Sequence, residues 1–564
     1  MASGNVVPTQ STDIGPPPVV AVVVVWLLAA VLFGAVPTVS GTPAANETVE
    51  NRTPDPTGDD ARILEAYPNP HADGDPGEYV VLAVPTEGNW TLTDGTTTVE
   101  VPDLTGRFAV STEPEVAAEH TNDPVYGLEG RLQLADAGET LTLSENGTAK
   151  DEISYGRAPA GARWLRGDGE LVREPDADGG WRADGFDPRE PKTFEDISGR
   201  AFVLPDAPDE PVAPIREADD RVYLAAYTLE SWRLADALAA AADRGVTVRV
   251  LLEGSPVGGA TETQAAVVRF LDRRGIDVRV LDGEYTRYTY HHAKYAVADD
   301  SVVALTENWK PSGTGGASNR GWGVRVDDRD VAAAVASVFE HDSGWRDAVP
   351  WAQYKSDATV REGTTTNGSY PDRFPAAEFD DASVRLLLAP DNAESELETM
   401  IDDADDRVAV VVPRTGGADY RLVEAAIGAA ERGATVRLLL SGAWYDREEN
   451  EALVEELRGL DVAGGDLDAR IVEPRGRFDR IHAKGTVVDD TAVVGSLNWN
   501  DHAGSRNREL LIAVGNPAIA EFYWRVLAAD WHGGSFRTPV GLLGGFTVVT
   551  LTGGEIARRR VRFF

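Results

Sequence analysis

The chain of 564 residues has no cysteine, two methionines, eight histidines and six lysines. The absence of cysteine excludes disulfide bridges and every metal site that is built on thiolates. The shortage of lysine leaves arginine to carry most of the positive charge, and 93 acidic residues outweigh 53 basic ones to give a net charge of −40. This composition is typical of halophilic proteins. At molar salt the Debye length is about 3 Å, so the acidic surface does not exclude an anionic substrate.

The scarce histidines and lysines recur together in two stretches that lie 190 residues apart. Each stretch reads His-Ala-Lys, then four residues and Asp, and Asn-Trp follows sixteen residues after the His. The copies are His292-Ala293-Lys294 with Asp299 and Asn308-Trp309, and His482-Ala483-Lys484 with Asp489 and Asn498-Trp499. Two copies with the same internal spacing predict a duplicated half-site.

Each stretch predicts a β-hairpin that gathers polar groups at one end. Alternate side chains of a strand point the same way, so each His shares a face with the Lys two residues later. A turn-forming Asp follows, and a second apolar strand returns antiparallel to end at Thr306 or Ser496. The imidazole, ammonium, hydroxyl and carboxamide groups suit a phosphate diester. The cation and the amide can hold the anionic oxygens while the imidazole attacks phosphorus or transfers a proton.

These residues resemble the phospholipase D superfamily, whose signature is H-x-K-x4-D followed by Gly-Ser-x-Asn. The second copy matches that signature with Gly495, Ser496 and Asn498, and further on with Ser505, Asn507 and Glu509. The first copy has Leu305-Thr306-Glu307-Asn308 instead, and Gly321 stands where the second copy has Glu509. One imidazole therefore lacks its matching carboxylate, and Glu307 or Asp327 is the candidate to replace it.

The resemblance implies two halves about a pseudo-twofold axis that place both His in one cleft. It implies that His292 attacks phosphorus to form a phosphohistidine and that His482 is the general acid and base, although this order could be reversed. The other implied site residues hold the phosphate or support those that do: Lys294, Lys484, Asn308, Asn498, Thr306, Ser496, Asp299 and Asp489, with Glu509 orienting an imidazole of its own or of the other half. Arg480, a basic residue just before the second motif, is expected to bind substrate. The chemistry needs no metal and no cofactor.

The duplication extends over whole domains. Ala218-Asp-Asp-Arg-Val parallels Ala404-Asp-Asp-Arg-Val, and Ala242-Asp-Arg-Gly parallels Ala430-Glu-Arg-Gly. Each unit reads as strand, helix, strand, helix and motif hairpin, which predicts an α/β fold with a mixed sheet flanked by helices. The units occupy residues 200–345 and 383–535, with a linker over 346–382. Because both motifs lie in one chain, we expect a monomer.

The remaining segments indicate an exported, membrane-bound protein. Residues 1–36 contain an eighteen-residue apolar run and predict a signal peptide or membrane anchor, followed by a linker over 37–60. Residues 61–165 alternate in short segments and predict a small all-β sandwich that loosely resembles a lamin-tail domain. Residues 539–557 predict a transmembrane segment before the basic tail 558–564, which places the protein in the cell membrane with its catalytic domains extracellular.

Three functions remain open from the sequence. The first is hydrolysis of phospholipid, or phosphatidyl transfer of the cardiolipin-synthase type, at a membrane. The second is an extracellular nuclease, for which the basic and aromatic residues before the motifs would serve: Arg287, Tyr288, Tyr290, Arg475, Arg477 and Arg480. The third is a non-catalytic surface protein that keeps the fold, because the first motif copy is imperfect.

Overall fold

The computed structural model describes residues 60–533, apart from 72–75, 168–174, 177–178, 283–284, 355–359, 364–365, 461 and 463–464. The expected anchor 1–36, nearly all of the linker 37–60, the expected transmembrane segment 539–557 and the tail 558–564 lie outside these residues. Within the described part of the chain, no helix is both long enough and apolar enough to span a membrane.

The amino-terminal part of the described chain is a β domain with two sheets. Its elements are β1 (Arg62–Tyr67), β2 (Tyr79–Val84), β3 (Trp90–Thr93), β4 (Thr98–Glu100), β5 (Gly106–Ser111), α1 (Pro114–Ala117), β6 (Val125–Gly127), β7 (Glu139–Glu145), β8 (Thr148–Tyr155), β9 (Ala162–Arg166), β10 (Pro175–Asp176) and β11 (Gly179–Ala183). One sheet has the order β10-β11-β9-β1-β2-β5-β6 and the other β4-β3-β7-β8. Leu82 of the first sheet and Leu143 of the second belong to one buried core, as alternating apolar strands require. The pairing of β11 with β9 carries this domain beyond residue 165.

The first half of the duplicated region follows directly. Its elements are β12 (Lys192–Leu204), α2 (Ala213–Glu217), β13 (Arg221–Ala226), α3 (Trp232–Asp243), β14 (Thr247–Glu253), β15 (Ala260–Thr261), α4 (Glu262–Asp272), β16 (Asp277–Leu281), β17 (Tyr295–Ala298), β18 (Ser301–Leu305), β19 (Gly321–Asp327), α5 (Arg329–Gly344), β20 (Ala348–Pro350), α6 (Trp351–Tyr354) and β21 (Val360–Arg361). The strands β20 and β21 and the helix α6 fall within the segment 346–382 that was expected to be a linker. Because β20 pairs with β16, part of that segment belongs to the sheet.

The second half repeats this order. Its elements are β22 (Ala377–Ala389), α7 (Ala393–Asp402), β23 (Arg407–Val412), α8 (Arg421–Arg432), β24 (Thr435–Leu440), α9 (Arg447–Gly459), β25 (Asp466–Ile471), β26 (Gly485–Val488), β27 (Thr491–Gly495), α10 (Asp501–Arg506), β28 (Glu509–Gly515) and α11 (Pro517–Trp531). The apolar runs of β13, β14, β23 and β24 suit parallel strands that are covered by helices.

One mixed sheet of fifteen strands joins the two halves, in the order β20-β16-β14-β13-β17-β18-β19-β12-β22-β28-β27-β26-β23-β24-β25. Its centre is the antiparallel pair β12 and β22, in which Lys192 lies opposite Leu386 and Ala201 lies opposite Ala377. Equivalent positions in these strands are 185 residues apart, so Lys192 is equivalent to Ala377 and Ala201 to Leu386. Exchanging the two halves therefore converts one of these residue pairs into the other. The pseudo-twofold axis therefore passes between β12 and β22.

A common core forms where the halves face each other. Buried apolar side chains of β17, β18 and β19 share one cluster with those of β26, β27 and β28, together with α5 and α11. Trp322 of the first half stacks on Tyr523 of the second, with ring centroids 4.3 Å apart. Such close contact between halves makes them one structural unit rather than two tethered domains.

Candidate active site

The two motifs lie at the axis because the histidine segment of each half forms backbone hydrogen bonds with the other half. The backbone N–H of His292 donates to the carbonyl oxygen of Arg508 at 2.9 Å, and the N–H of His482 donates to that of Arg320 at 3.0 Å. Arg320 and Arg508 directly precede β19 and β28. Each half therefore holds the other's histidine segment through main-chain bonds.

Buried ion pairs hold these two arginines. Arg320 and Arg508 have no exposed surface, and each guanidinium contacts one aspartate of its own half and one of the other. The pairs are Arg320 with Asp206 and Asp530, and Arg508 with Asp391 and Asp342. Because a buried charge without its partner is strongly destabilising, these pairs specify how the halves dock around the cleft.

Glu509 of the second half orients the imidazole of the first. The Nδ1 atom of His292 lies 2.8 and 2.9 Å from the two carboxylate oxygens of Glu509. Asn507 donates to the same carboxylate at 3.2 Å. With Nδ1 engaged, the second ring nitrogen, Nε2, is left for a substrate. The sequence left open whether Glu509 contacts the imidazole of its own half or that of the other half. In the structure it contacts the imidazole of the other half, His292.

Glu307 takes the matching position beside the second imidazole. Its Oε1 atom lies 3.3 Å from Nδ1 of His482, and Asn319 donates to its Oε2 atom at 3.0 Å. A Cβ atom on Gly321 would lie 2.2 Å from Cγ of Glu307, so the glutamate fills the space that a side chain at 321 would need. Of the two sequence candidates Glu307 makes this contact, whereas Asp327 accepts hydrogen bonds from Ser301 and Arg325.

Burial dominates the electrostatics of the site. It lowers the pKa of His292 to about 4, against the opposing charge of Glu509, and burial with the nearby Lys484 ammonium lowers the pKa of His482 to about 4. Burial also lowers the pKa of Lys484 to about 8 and that of Lys294 well below its usual value. Both imidazoles are therefore mainly neutral at pH 7 when the cleft holds no substrate.

The lysines of the motifs lie beside the imidazoles. Lys484 Nζ is 3.2 Å from each ring nitrogen of His482 and donates to the carbonyl oxygen of Thr306 in the other half at 3.3 Å. Lys294 Nζ donates to the carbonyl oxygen of His292 and lies 5.1 Å from the centre of the Tyr227 ring. These ammonium groups supply positive charge where a phosphate would sit between the imidazoles.

Thr306 and Ser496 are buried supports rather than surface contacts. Neither side chain is exposed, and their hydroxyl oxygens accept from the backbone N–H groups of Trp322 at 2.9 Å and Leu510 at 3.1 Å. We expected Thr306 to bind substrate. Because its side chain is completely buried and its hydroxyl accepts a backbone hydrogen bond, Thr306 instead supports the neighbouring strand. Asn308 and Asn498, two residues further along the chain, remain partly exposed.

The structure does not bring Asp299 and Asp489 to the imidazoles. Both lie in the turn at the far end of their hairpin, with φ angles of 52° and 47°. Each carboxylate accepts three backbone N–H bonds, from residues 219–221 for Asp299 and from residues 405–407 for Asp489. This placement corrects their inclusion in the catalytic set and gives them a structural role at the start of β13 and β23.

A polar cavity of about 220 Å³ opens beside His482. Arg480, which we predicted to bind substrate, lines this cavity together with Asn308. Sequence reasoning missed Glu230 and Lys310, whose charged groups are 3.5 Å apart in its wall. The shortage of lysine, together with the position of Lys310 directly after Asn-Trp, was the available signal for that residue.

The surroundings of His292 are aromatic instead. The Tyr227 ring packs edge-on against His292 at 4.7 Å between centroids, and Tyr290 lies 6.1 Å from Tyr227. His502 of the second half lies 5.8 Å from Tyr290. Trp309 has no exposed surface and donates to the carbonyl oxygen of Ala225, so it belongs to the core and not to the cleft wall.

No group of three or more potential metal ligands occurs in the part of the chain that the structure describes. The side chains at the axis are instead paired imidazole and carboxylate groups with two ammonium groups. Such a set can transfer protons, attack an electrophile and hold an anion.

The family model for the cardiolipin synthase, phospholipase D-like domain matches the chain twice, at residues 212–343 and 397–531. Both halves belong to the phospholipase D superfamily. The chain is accordingly an enzyme of this phosphodiesterase superfamily. Comparison with curated protein sequences gives no match.

Solved structures of low sequence identity are similar to parts of this chain. Phosphatidylserine synthase of Haemophilus influenzae has 14% identity and a TM-score of 0.45, over 57% of this chain and 85% of that one. Polyphosphate kinase of Porphyromonas gingivalis has 14% identity and a TM-score of 0.39, over 60% and 50%. Nuc of Salmonella typhimurium, a phospholipase D family member, has 18% identity and a TM-score of 0.24, over 29% and 99%.

Proposed function

We propose that the protein cleaves or transfers the phosphodiester of a phospholipid through a phosphohistidine on His292. The observation that carries this proposal is the crossed pairing of imidazoles and carboxylates, His292 with Glu509 and His482 with Glu307. Each half supplies a histidine and the carboxylate for the other half's histidine. One reaction centre at the axis explains this exchange, whereas two independent sites do not.

In the first step, Nε2 of neutral His292 attacks phosphorus and the bond from phosphorus to the leaving alcohol breaks. The leaving oxygen takes a proton from His482, which is charged once the anionic diester lies beside it. Glu509 holds His292 through two carboxylate contacts and stabilises the positive charge that develops on the ring. Lys294 and Lys484 balance the charge on the non-bridging oxygens.

In the second step, His482 is neutral and accepts a proton from water or from a second alcohol. That oxygen attacks phosphorus, and the bond from phosphorus to Nε2 of His292 breaks. His482 recovers its proton and His292 returns to the neutral state, so the cycle balances without a cofactor. Water gives hydrolysis, and an alcohol gives phosphatidyl transfer.

The unlike surroundings of the two imidazoles support this assignment of roles. His482 faces a polar cavity lined by Glu230, Lys310 and Arg480, which suits a hydrophilic headgroup that leaves as an alcohol. His292 lies among aromatic side chains, which suit the less polar glycerolipid portion. The larger side-chain exposure of His482, 26% against 11% for His292, suits a residue that exchanges protons with water.

The nuclease alternative has less support than the lipid substrate. Arg287 and Arg477 are buried, and their guanidinium groups pair with Asp347 and Asp530. Tyr288 is only 4% exposed. Half of the basic and aromatic residues that the sequence offered to a nucleic acid are therefore committed to the core. Since each imidazole keeps a carboxylate partner, the geometry also argues against a non-catalytic surface protein.

Incubation of the purified full chain with labelled phosphatidylglycerol, phosphatidylcholine and DNA in molar salt tests the proposal. We expect release of headgroup from lipid and complete loss with His292→Asn. In His482→Asn protein, a diester with a good leaving group such as p-nitrophenol should give a phosphoenzyme that survives an alkaline quench and is lost in acid. Turnover of DNA alone would favour the nuclease. Equal lipid turnover by wild-type and His292→Asn protein would overturn the mechanism.

A further inference from the structure

Two equivalent loops present large apolar side chains to solvent beside the cleft. Trp444 is 87% exposed and Tyr445 is 49% exposed, in the loop that follows β24. Val257 is 72% exposed in the equivalent loop that follows β14. Full exposure of a tryptophan is costly for a protein that meets only water, so these three residues, here called the rim, indicate a contact surface.

The rim is held in place by hydrogen bonds. Asn450 donates to the carbonyl oxygen of Ser441 at 2.9 Å and so fixes the start of the Trp444 loop. In the other loop, the N–H of Val257 donates to the hydroxyl of Tyr227 at 2.6 Å. The apolar side chains therefore point outward on braced loops, which lowers the entropy cost of binding through them.

Both loops border the candidate site. Tyr445 lines the cavity beside His482, and Arg480 donates to its hydroxyl at 3.2 Å. Val257 is bonded to Tyr227, whose ring packs against His292. β14 and β24 are equivalent strands of the two halves, and the loop that follows each of them borders the imidazole of its own half.

The charges around the rim are nearly balanced. Three arginines lie next to Trp444 in a shallow groove, and each has a carboxylate within 4 Å: Arg447 with Glu451, Arg475 with Glu473, and Arg480 with Asp479. The whole chain has a net charge of −40. A partner bound here is therefore held by apolar and aromatic contact, and not by an excess of positive charge.

We propose that the rim inserts into the interfacial layer of a phospholipid bilayer and so places the cleft mouth on the membrane surface. Tryptophan and tyrosine prefer that layer because their rings are apolar while their N–H and O–H groups still reach water. The choice of a lipid bilayer rests on the proposed lipid substrate. Nucleic acid is the competing occupant, since exposed aromatic side chains also stack on bases.

The absence of cysteine allows a direct test in the full chain. Single variants Trp444→Cys, Val257→Cys and Leu460→Cys, each in a His292→Asn background, carry an environment-sensitive fluorophore on the new thiol. Leu460 is the matched control because it is 42% exposed but follows α9, which leads back to the start of β25, away from the end of β24 where the Trp444 loop begins. The probe is a phosphatidylcholine vesicle that contains nitroxide-labelled lipid.

We expect blue-shifted emission and nitroxide quenching at 444 and 257 but not at 460. Molar KCl should not weaken either signal, because phosphatidylcholine carries no net charge that could attract or repel the acidic protein. Adding Trp444→Ser to the Val257→Cys protein should lower the equilibrium constant for loop insertion about tenfold, as expected when one large apolar side chain loses its contact.

Three results would overturn the proposal. The first is that vesicle-bound protein shows no quenching at positions 444 and 257. The second is equal quenching at all three positions. The third is a fluorescence response only to single-stranded DNA, which weakens as the salt concentration rises. The assay requires no turnover. Quenching without lipid turnover would therefore remove the proposed reaction alone, and lipid turnover without quenching would remove the membrane contact alone.

Discussion

Moving the carboxylate from position 307 to position 321 should first lower kcat, when Glu307 is removed, and then restore part of it, when a glutamate is placed at 321. Glu307 reaches His482 from the end of β18, whereas its counterpart Glu509 reaches His292 from β28. The second half has Leu497 at the position equivalent to 307. Glu307→Leu with Gly321→Glu would therefore give the first half the arrangement of the second.

The magnitude follows from the burial of Glu307, which is 1% exposed. Glu307→Leu leaves Nδ1 of His482 without an acceptor and removes a negative charge that acts on Lys484. Loss of an oriented proton-transfer group lowers kcat by about 10²- to 10⁴-fold. That range corresponds to about 3–5 kcal/mol in the activation barrier. Gly321→Glu alone should destabilise the fold, because its Cβ would lie 2.2 Å from Cγ of Glu307.

The assay is kcat for headgroup release together with the thermal midpoint of all three variants. The double variant should recover at least about tenfold in kcat over Glu307→Leu, since the two positions share one space and are not additive. The phosphoenzyme on His292 should still form in Glu307→Leu protein when the substrate carries a good leaving group such as p-nitrophenol. Wild-type kcat in Glu307→Leu, or a double variant no better than the single one, would refute the reasoning.

Three further predictions concern pH and the turn aspartates. KM for lipid should rise above about pH 8, because the Lys484 ammonium loses its proton there, and Lys484→Arg should abolish that rise; an unchanged alkaline limb would contradict this. The free energy of unfolding should fall as pH drops from about 6.5 to about 4, by about 3 kcal/mol per imidazole, because the unfolded chain binds protons that folded His292 and His482 do not. His292→Asn should make this slope shallower in chemical denaturation at each pH, and an identical slope would count against the lowered pKa. Asp299→Ala and Asp489→Ala should each cost about 2 kcal/mol of stability through lost charge-assisted bonds, with kcat unchanged at a temperature where the variant stays folded; a kcat loss there would return them to the catalytic set.

The motif residues themselves were predictable because their chemistry is local. The strand period placed each Lys beside its His, and the repeated spacing indicated two equivalent hairpins. The α/β class followed from the alternation of strand and helix patterns, and both halves were located from their parallel segments. The pairing of β12 with β22 was not predictable, since the sequence of neither strand specifies that these two strands, rather than others, join the halves.

The sequence by itself determined that this chain is duplicated, that each copy carries an imidazole and an ammonium on one strand face, and that the first copy lacks a carboxylate at Gly321. Only the tertiary structure decided that Glu307 fills that space, because the choice between Glu307 and Asp327 depends on which end of a hairpin meets the other half. It also decided that Asp299 and Asp489 face away, since a hairpin separates its turn from its open end. Which side chains share a face of one strand follows from the strand period of two, whereas contacts across the axis depend on how the two halves pack together.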